Sequence, residues 1–274
     1  MPLLRFLFWN LNQNAEAMPL VSRIAVSHGV DIVILSELPV SVDEAVRQLN
    51  DGTGARFRHA APSNLRVNIF GTFDAGSIRP IHDEDKLAIR EITLPGNNPI
   101  LIAAVHLSSK LHFRDQDQAA LGFEVATEIE RREGEAGHER TLVVGDFNMN
   151  PFEAGLVSSP GGFNATMTRG VAGRRKRKVQ GEDCRFFYNP MWNHFGDQGR
   201  NPPGTYYRQG SAPTEYFWNM FDQVLVRPSL MAAFPEDELK ILTAVEGHSL
   251  VGKRGRPNPA AGSDHLPLLF ALSI

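Results

Sequence analysis

Thr141-Leu142-Val143-Val144-Gly145-Asp146-Phe147-Asn148-Met149-Asn150-Pro151 runs from an apolar segment straight into an acid and an amide. A short continuous apolar run bounded by turn residues suits a strand covered on both faces, so 141–144 reads as buried β structure. The residues after it are of another kind. Taken alone, Asp146 and Asn148 fit an ordinary turn, because both side chains bond their own backbone there. Whether they carry chemistry depends on what else arrives at the same place.

Apolar runs of strand length recur at 4–9, 31–35, 66–73, 87–93, 100–105, 221–226 and 266–272. Helical spacing appears at Val21, Ile24 and Ala25 before Gly29, and again over 115–132. Strands alternate with helices in places and follow one another directly elsewhere, which argues for an α/β or α+β chain with mixed sheets. The segment 158–216 is rich in Gly, Pro, Asn and Arg and shows no sustained period, so it reads as a loop-rich insertion in one domain spanning 1–274.

With 274 residues, 42% of them apolar, the chain can bury a large core, and a net charge of −3 excludes a uniformly basic nucleic-acid coat. Its single cysteine, Cys184, forms no internal disulfide, which suits a reducing compartment, and cytoplasm is expected. The apolar start at 1–9 reads as a first strand, since it has no basic n-region and Asn10 and Asn12 follow at once. No stretch approaches the length of apolar sequence that a membrane helix needs.

Polar residues gather at the strand ends: Trp9-Asn10-Leu11-Asn12, Ser36-Glu37, His106-Leu107-Ser108-Ser109, Gly145-Asp146-Phe147-Asn148 and Ser263-Asp264-His265, with Asp222 opening the run 221–226. In α/β sheets ligands collect beyond strand ends, so distant residues can converge there. Carboxylates suit a hard cation, amides orient phosphate oxygens, and histidines move protons or stabilise charge near neutral pH. Each piece also has a bland reading: Glu37 in solvent, His106 as a satisfied half-buried ring, Asp264 in a turn before Pro267, Asn10 and Asn12 as loop formers. Their joint placement at strand ends is what those readings leave unexplained.

In order and spacing, these stretches resemble the endonuclease/exonuclease/phosphatase superfamily, whose fold is DNase-I-like, from Asn10 to His265. Gly145-Asp146-Phe147-Asn148 followed much later by Ser263-Asp264-His265 is far more specific as a pair than either half. The resemblance implies a four-layer α/β sandwich of two packed mixed β-sheets flanked by helices. It also implies that Glu37 is the principal ligand of Mg²⁺ or Mn²⁺, assisted by Asp264. Asn12 stands where some members carry a metal-binding acid. Asn10 and Asn148 match amides on the scissile phosphate, Asp146 the acid that orients or deprotonates water, and His265 a histidine held by Asp222. His106 matches a second histidine, found in the DNase-I and sphingomyelinase branches, and no partner acid for it is evident in the sequence. Asp146 and His265 are expected at the mouth of a cleft, outside the core.

The activity implied is metal-dependent phosphodiester hydrolysis, with DNA or RNA as the expected partner. The alternatives are a phosphatase or phospholipase acting on a small or lipid phosphate, and an inactive binding protein. Gln223 and Met149-Asn150 stand where inositol phosphatases carry arginines, and Ser36-Glu37-Leu38 departs from the Gln-Glu-Thr of apurinic endonucleases. Two basic runs, 174–178 and 253–256, are either solvated loops or a grip on a polynucleotide backbone. Tyr206, Tyr207 and Trp192 are candidates to stack on bases, and Phe186, Phe187 and Trp218 to form a small core under the loops.

Overall fold

A computed structural model describes residues 2–62, 66–74, 76–110, 115–196, 202–211 and 213–274. The first third of the chain forms β1 (Leu3–Asn10), α1 (Met18–His28), β2 (Ile32–Ser36), α2 (Val42–Thr53), β3 (Arg58–His59) and β4 (Val67–Gly71). Next come β5 (Ile78–Glu84), β6 (Leu87–Ile92), β7 (Ile100–His106), α3 (Asp115–Ala136) and β8 (Thr141–Asp146). The middle holds α4 (Ala154–Val157), β9 (Ala165–Thr166), α5 (Arg169–Ala172), β10 (Lys176–Val179), β11 (Glu182–Arg185) and β12 (Phe187–Tyr188). The remainder adds β13 (Tyr206–Tyr207), β14 (Trp218–Asn219), β15 (Asp222–Val226), β16 (Lys240–Ile241), β17 (Ala244–Val245), β18 (His248–Ser249) and β19 (Leu268–Ser273).

Two large sheets result, one ordered β16-β19-β1-β2-β4-β3 and the other β5-β6-β7-β8-β15-β12-β9. Each is mixed: β1 with β2 and β7 with β8 are parallel, while β1 with β19 and β8 with β15 are antiparallel. Alternation along the strands explains the layering. Ile102, Ala104, Leu142, Val144, Val224 and Val226 join Phe6, Phe8, Ile32 and Ile34 in one core, with α1 contributing Val21 and Ile24. The intervening Leu101, Ala103, Val105, Val143 and Leu225 turn the other way and meet Val125, Ala126 and Ile129 of α3. The expected α/β sandwich is therefore present, and the apolar runs read from the sequence are its strands.

The segment 158–216, read as loop-rich, also carries short elements that tie it to the sandwich: β9 and β12 extend the second sheet, and β10 pairs with β11 as a hairpin. Residues 197–201 and 212 of that segment lie outside the described residues. Phe186 and Phe187 belong to the two main cores, not to a separate small one, and Trp218 is only partly buried. Of the α-helices and strands five or more residues long, α2 and β5 have no counterpart among the runs read from the sequence. Helix α2 buries only Ala45 and Leu49, and its start is marked by the Ser41 side chain accepting the Glu44 amide at 3.2 Å. Strand β5 is a polar edge strand with Pro80 at an irregularity in register, a composition that hides a strand from any alternation test.

Among the described residues, no helix is long and apolar enough to cross a membrane.

Candidate active site

The two parallel pairs end at the same edge of the sandwich, and the polar stretches leave from there. Asn10 closes β1, Ser36 closes β2, His106 closes β7 and Asp146 closes β8, while Asp222 opens β15 directly across the ladder from Asp146. The result is a cleft of about 710 Å³ lined by Asn10, Asn12, Glu37, His106, Asp146, Asn148, Asp264 and His265, among others. Eight of the nine candidate residues thus share one cavity. The ninth, Asp222, lies behind it, fully buried against His265.

A Cβ at Gly145 would sit 1.9 Å from the carbonyl oxygen of Val105, its partner in the parallel ladder, so no other residue fits. Phe147 turns into the core and meets Phe163 edge-on at 5.6 Å. Asn148 takes a left-handed backbone (φ 49°), and its amide N–H donates to Asp146 Oδ1 at 2.8 Å. Asp146 Oδ2 accepts from Asn10 Nδ2 at 3.0 Å and from Asn148 Nδ2 at 3.2 Å. The carboxylate is thereby fixed by three N–H donors, and Asn10 and Asn148 are fixed by it.

Asp222 Oδ2 lies 2.8 Å from His265 Nδ1, which leaves Nε2 facing Asp146 Oδ2 at 3.9 Å. Burial alone would lower the His265 pKa. The carboxylates of Asp222, Asp146 and Asp264 outweigh that and push it up to about 10, so the ring is an imidazolium at neutral pH. Asp146 and His265 are 1% and 7% exposed, which corrects their expected place at the mouth of the cleft: they form its floor.

His106 Nε2 lies 3.5 Å from Glu37 Oε1 and 3.8 Å from Asp146 Oδ2, while its buried Nδ1 has no hydrogen-bond partner among the described residues. The acid that the sequence left unassigned is thus Glu37 on the cleft side. Glu37 itself is held in a left-handed conformation (φ 50°), its N–H donating to the Arg66 carbonyl and its carbonyl accepting from Gln13. For a long side chain such backbone costs about 1–3 kcal/mol and is characteristic of functional sites.

Two groups among the described residues bring three ligand atoms, each from a different residue, within 4.8 Å. Asp146, Asp222 and His265 form one, an acid and histidine cluster that could hold a metal. His82, Glu84 and Glu128 form the other, but Arg132 Nη2 lies 2.6 Å from His82 Nδ1. Arginine only donates, so Nδ1 holds the lone pair and Nε2 the proton, and that ring has nothing left for a metal. In the cleft, Asp146 is occupied by amide donors and Asp222 by His265, whereas the Glu37 carboxylate is partly exposed and, among the described residues, accepts no hydrogen bond. The Asp264 side chain, among the described residues, accepts a hydrogen bond from Ser263 Oγ alone, at 3.4 Å. Such oxygen donors fit a hard divalent cation.

Residues not singled out beforehand complete the walls. Tyr206, considered only for stacking on bases, packs against the His265 ring at 4.8 Å and against Phe221 at 5.3 Å. Burial and the nearby Asp264 push its hydroxyl pKa up. Phe152 and Tyr216 meet at 5.3 Å on the opposite wall. Asn150, fully buried, donates to Asn219 Oδ1 and accepts from the Met220 amide, and Gln223 donates to the Met149 carbonyl. These amides bind the 146–151 turn to the start of β15, a role that a single sequence does not announce.

The basic run at 174–178 does not border this cleft. It lies on and before β10, near the end of β15 where Val226 pairs with Tyr188, opposite to Asp222. The second run is nearer, with the Arg256 guanidinium 3.9 Å over the Tyr207 ring, beside Tyr206.

A comparison with curated proteins finds no match. Among solved structures, the chain is similar to the endonuclease domain of TRAS1, a telomere-specific non-LTR retrotransposon, at 14% identity and TM-score 0.55, covering 99% of both chains. Truncated Caenorhabditis elegans TDP2 is similar at 16% identity and TM-score 0.58, over 99% of this chain and 98% of that one. TDP2 of D. rerio, solved with a single-strand DNA product, is similar at 15% identity and TM-score 0.57, over the whole of both chains. At such identities the likeness is one of fold. A family model extends the assignment to sequence, matching residues 7–265, and the chain belongs to the Endonuclease/Exonuclease/phosphatase family, enzymes that hydrolyse phosphoesters.

Proposed function

We propose that this protein is a divalent-metal-dependent phosphodiesterase acting on nucleic acid by in-line attack of water. The observation that carries the reading is the buried Asp222–His265 pair facing Asp146, 3.9 Å away, on the floor of a cleft that also holds Glu37, His106, Asn10 and Asn148. Glu37 and Asp264, with Asn12 nearby, are the residues to hold Mg²⁺ or Mn²⁺, which when bound would neutralise phosphate charge. Asp146 orients and deprotonates the attacking water. His265, kept charged by Asp222, stabilises the negative charge that builds on phosphorus. Asn10, whose Nδ2 gives one hydrogen to Asp146, presents the other to a non-bridging oxygen. Asn148, whose Nδ2 is taken up by the Leu107 carbonyl and Asp146, holds the Asp146 carboxylate in place, and His106 stands where it can protonate the departing oxygen.

Nucleic acid is favoured by the rim. Tyr216 and Phe217 are 50% and 46% exposed, Phe217 is held at φ 61°, and Tyr207 lies between Phe217, Trp218 and Arg256. Exposed rings beside a cation suit stacking on unpaired bases, and the D. rerio TDP2 structure holds a DNA strand on the same fold. A smaller phosphoester is the second reading. It is favoured by the cations of the lining, since Lys110 is paired with Glu153 and Arg208 lies 4.0 Å from Glu215.

The test is an assay series on plasmid, single-stranded DNA, RNA, a soluble inositol phosphate and sphingomyelin, each with Mg²⁺, Mn²⁺ or EDTA. Cleavage of a polynucleotide only with metal is expected. If plasmid, single-stranded DNA and RNA all survive with metal while a monoester is cleaved, the nuclease reading falls.

A further inference from the structure

Five consecutive cations, Arg174 to Lys178, stand exposed at the end of the sandwich away from the cleft, and the fold sorts them. Side chains alternate along β10, so Lys176 and Lys178 share one face and Arg177 takes the other. Asp183 of β11 lies directly opposite Lys178 and forms an ion pair with Lys176, and these two lysines hold its carboxyl below the usual range. Arg175 is 3.8 Å from Glu139. Three of the five charges therefore have a carboxylate near them.

Arg174 and Arg177 do not. They line a second cavity of about 350 Å³ together with Asn164, Ala165, Thr166, Val171 and Phe186, and among these described residues there is no carboxylate. Arg177 is set in place by Asn164, whose Oδ1 accepts from its Nε at 2.7 Å, leaving the two terminal guanidinium nitrogens open. Asn164 is itself buried, with φ 47°, and its Nδ2 donates to the carbonyls of Cys184 and Arg185, so it pins both hairpin strands to the sheet. Arg174 stands in a tight turn in which Lys176 N–H donates to its carbonyl and Arg175 adopts φ 70°. Its guanidinium makes no hydrogen bond or ion pair among the described residues. Two arginines, one of them oriented by Asn164, thus line a concavity that also offers the Thr166 hydroxyl and the apolar carbon of Val171 and Phe186.

We infer that this cavity is a binding site for a phosphomonoester about the size of one nucleotide, separate from the catalytic cleft. Guanidinium groups bind phosphate oxygens in pairs, and two of them match the nearly double negative charge of a monoester near pH 7, where a diester carries one. The cavity is at the lower end of the roughly 300–1,000 Å³ of small-ligand sites, and Val171 and Phe186 offer an apolar surface to the group that carries the phosphate. The cleft lies roughly 14 Å away along β15 alone, so the two sites can be separated by mutation.

Isothermal titration of the full-length protein in EDTA, with inorganic phosphate, adenosine 5′-monophosphate and adenosine as probes, tests this. A short oligonucleotide with and without a 5′-phosphate completes the series. Binding of phosphate or the mononucleotide, but not adenosine, is expected, weakened at least tenfold in Arg174→Gln/Arg177→Gln and unchanged in Asp146→Asn. Comparison of the two phosphate probes tells a free-phosphate ligand from a nucleotide, and a gain on adding the 5′-phosphate tells a strand end from its backbone. Affinity should also fall between pH 7 and 5, as the monoester gains its second proton. Both arginines are exposed, so the double variant should fold, and Arg174→Lys/Arg177→Lys, which keeps charge but loses the fork, should recover binding only in part. Binding that persists in the double glutamine variant, that vanishes in Asp146→Asn, or that ignores the 5′-phosphate overturns the assignment. None of these outcomes depends on whether the cleft cleaves nucleic acid.

Discussion

At the scale of single residues, the site is built by side chains that immobilise one another. Asp146 has three N–H donors, and His265 has Asp222. Replacing Asp222 by Asn removes the charge that keeps the ring an imidazolium, and turnover of a chromogenic phosphodiester should fall roughly 10²–10⁴-fold. Turnover within threefold of wild type would remove His265 from the mechanism. The same pair carries a pH signature. His265 has a folded pKa of about 10 against 6.5 for the ordinary side chain. Protonation therefore stabilises the fold fully below pH 6.5, and that contribution fades as pH rises through about 10. Urea midpoints taken from pH 6 to 10 should decline in wild type and decline less in His265→Gln. Gly145→Ala is a structural test, because its methyl has no room beside Val105. Stability should drop by about 3 kcal/mol, read by urea denaturation, with activity lost as Asp146 shifts.

At the scale of elements, long-range clamps hold the second sheet to its helix. Arg227, following β15, donates to both carboxylate oxygens of Glu133 on α3, at 2.8 and 2.9 Å, and lies 3.8 Å over the Phe187 ring. Both partners are buried. Arg227→Met removes both hydrogen bonds to the buried Glu133 carboxylate and leaves it only Arg185, 3.5 Å away, as counter-charge. It should cost about 3 kcal/mol, whereas adding Glu133→Leu should recover much of that loss. Chemical denaturation of the single and double variants checks it. Which elements were legible follows from how much each buries. Strands 100–105 and 141–144 declare themselves because both faces are covered. Helix α2, with two buried residues, and β5, polar and at an edge, were silent because little of either needs to be apolar. The middle segment misled in the opposite sense: Gly, Pro and Asn mark its turns, but β9 and β12 are only two residues long, too short for any period to show.

At the scale of the whole molecule, the convergence of Glu37, Asp146 and His265 on one cleft could be expected from sequence because each ends a strand or lies next to one, and sheet topology brings strand ends together. The depth of Asp146 and His265 could not, since it depends on Asn10 and Asn148 bonded to the one and Tyr206 packed against the other. The aromatic rim was hidden for the same reason. Removal of metal should separate chemistry from folding: EDTA is expected to abolish turnover, with Mg²⁺ or Mn²⁺ restoring it, while thermal unfolding followed by circular dichroism moves by only a few degrees, because apolar cores hold the sandwich. A large loss of stability in EDTA would make the ion part of the scaffold. Asp146 and Asp222 face each other across adjacent antiparallel strands, although 75 residues of chain separate them. Their spacing is a property of the ladder, not of the intervening polypeptide. That excursion can lengthen, shrink or acquire new contacts over evolutionary time without detuning the acid pair, so substrate preference can drift while the hydrolytic core stays calibrated.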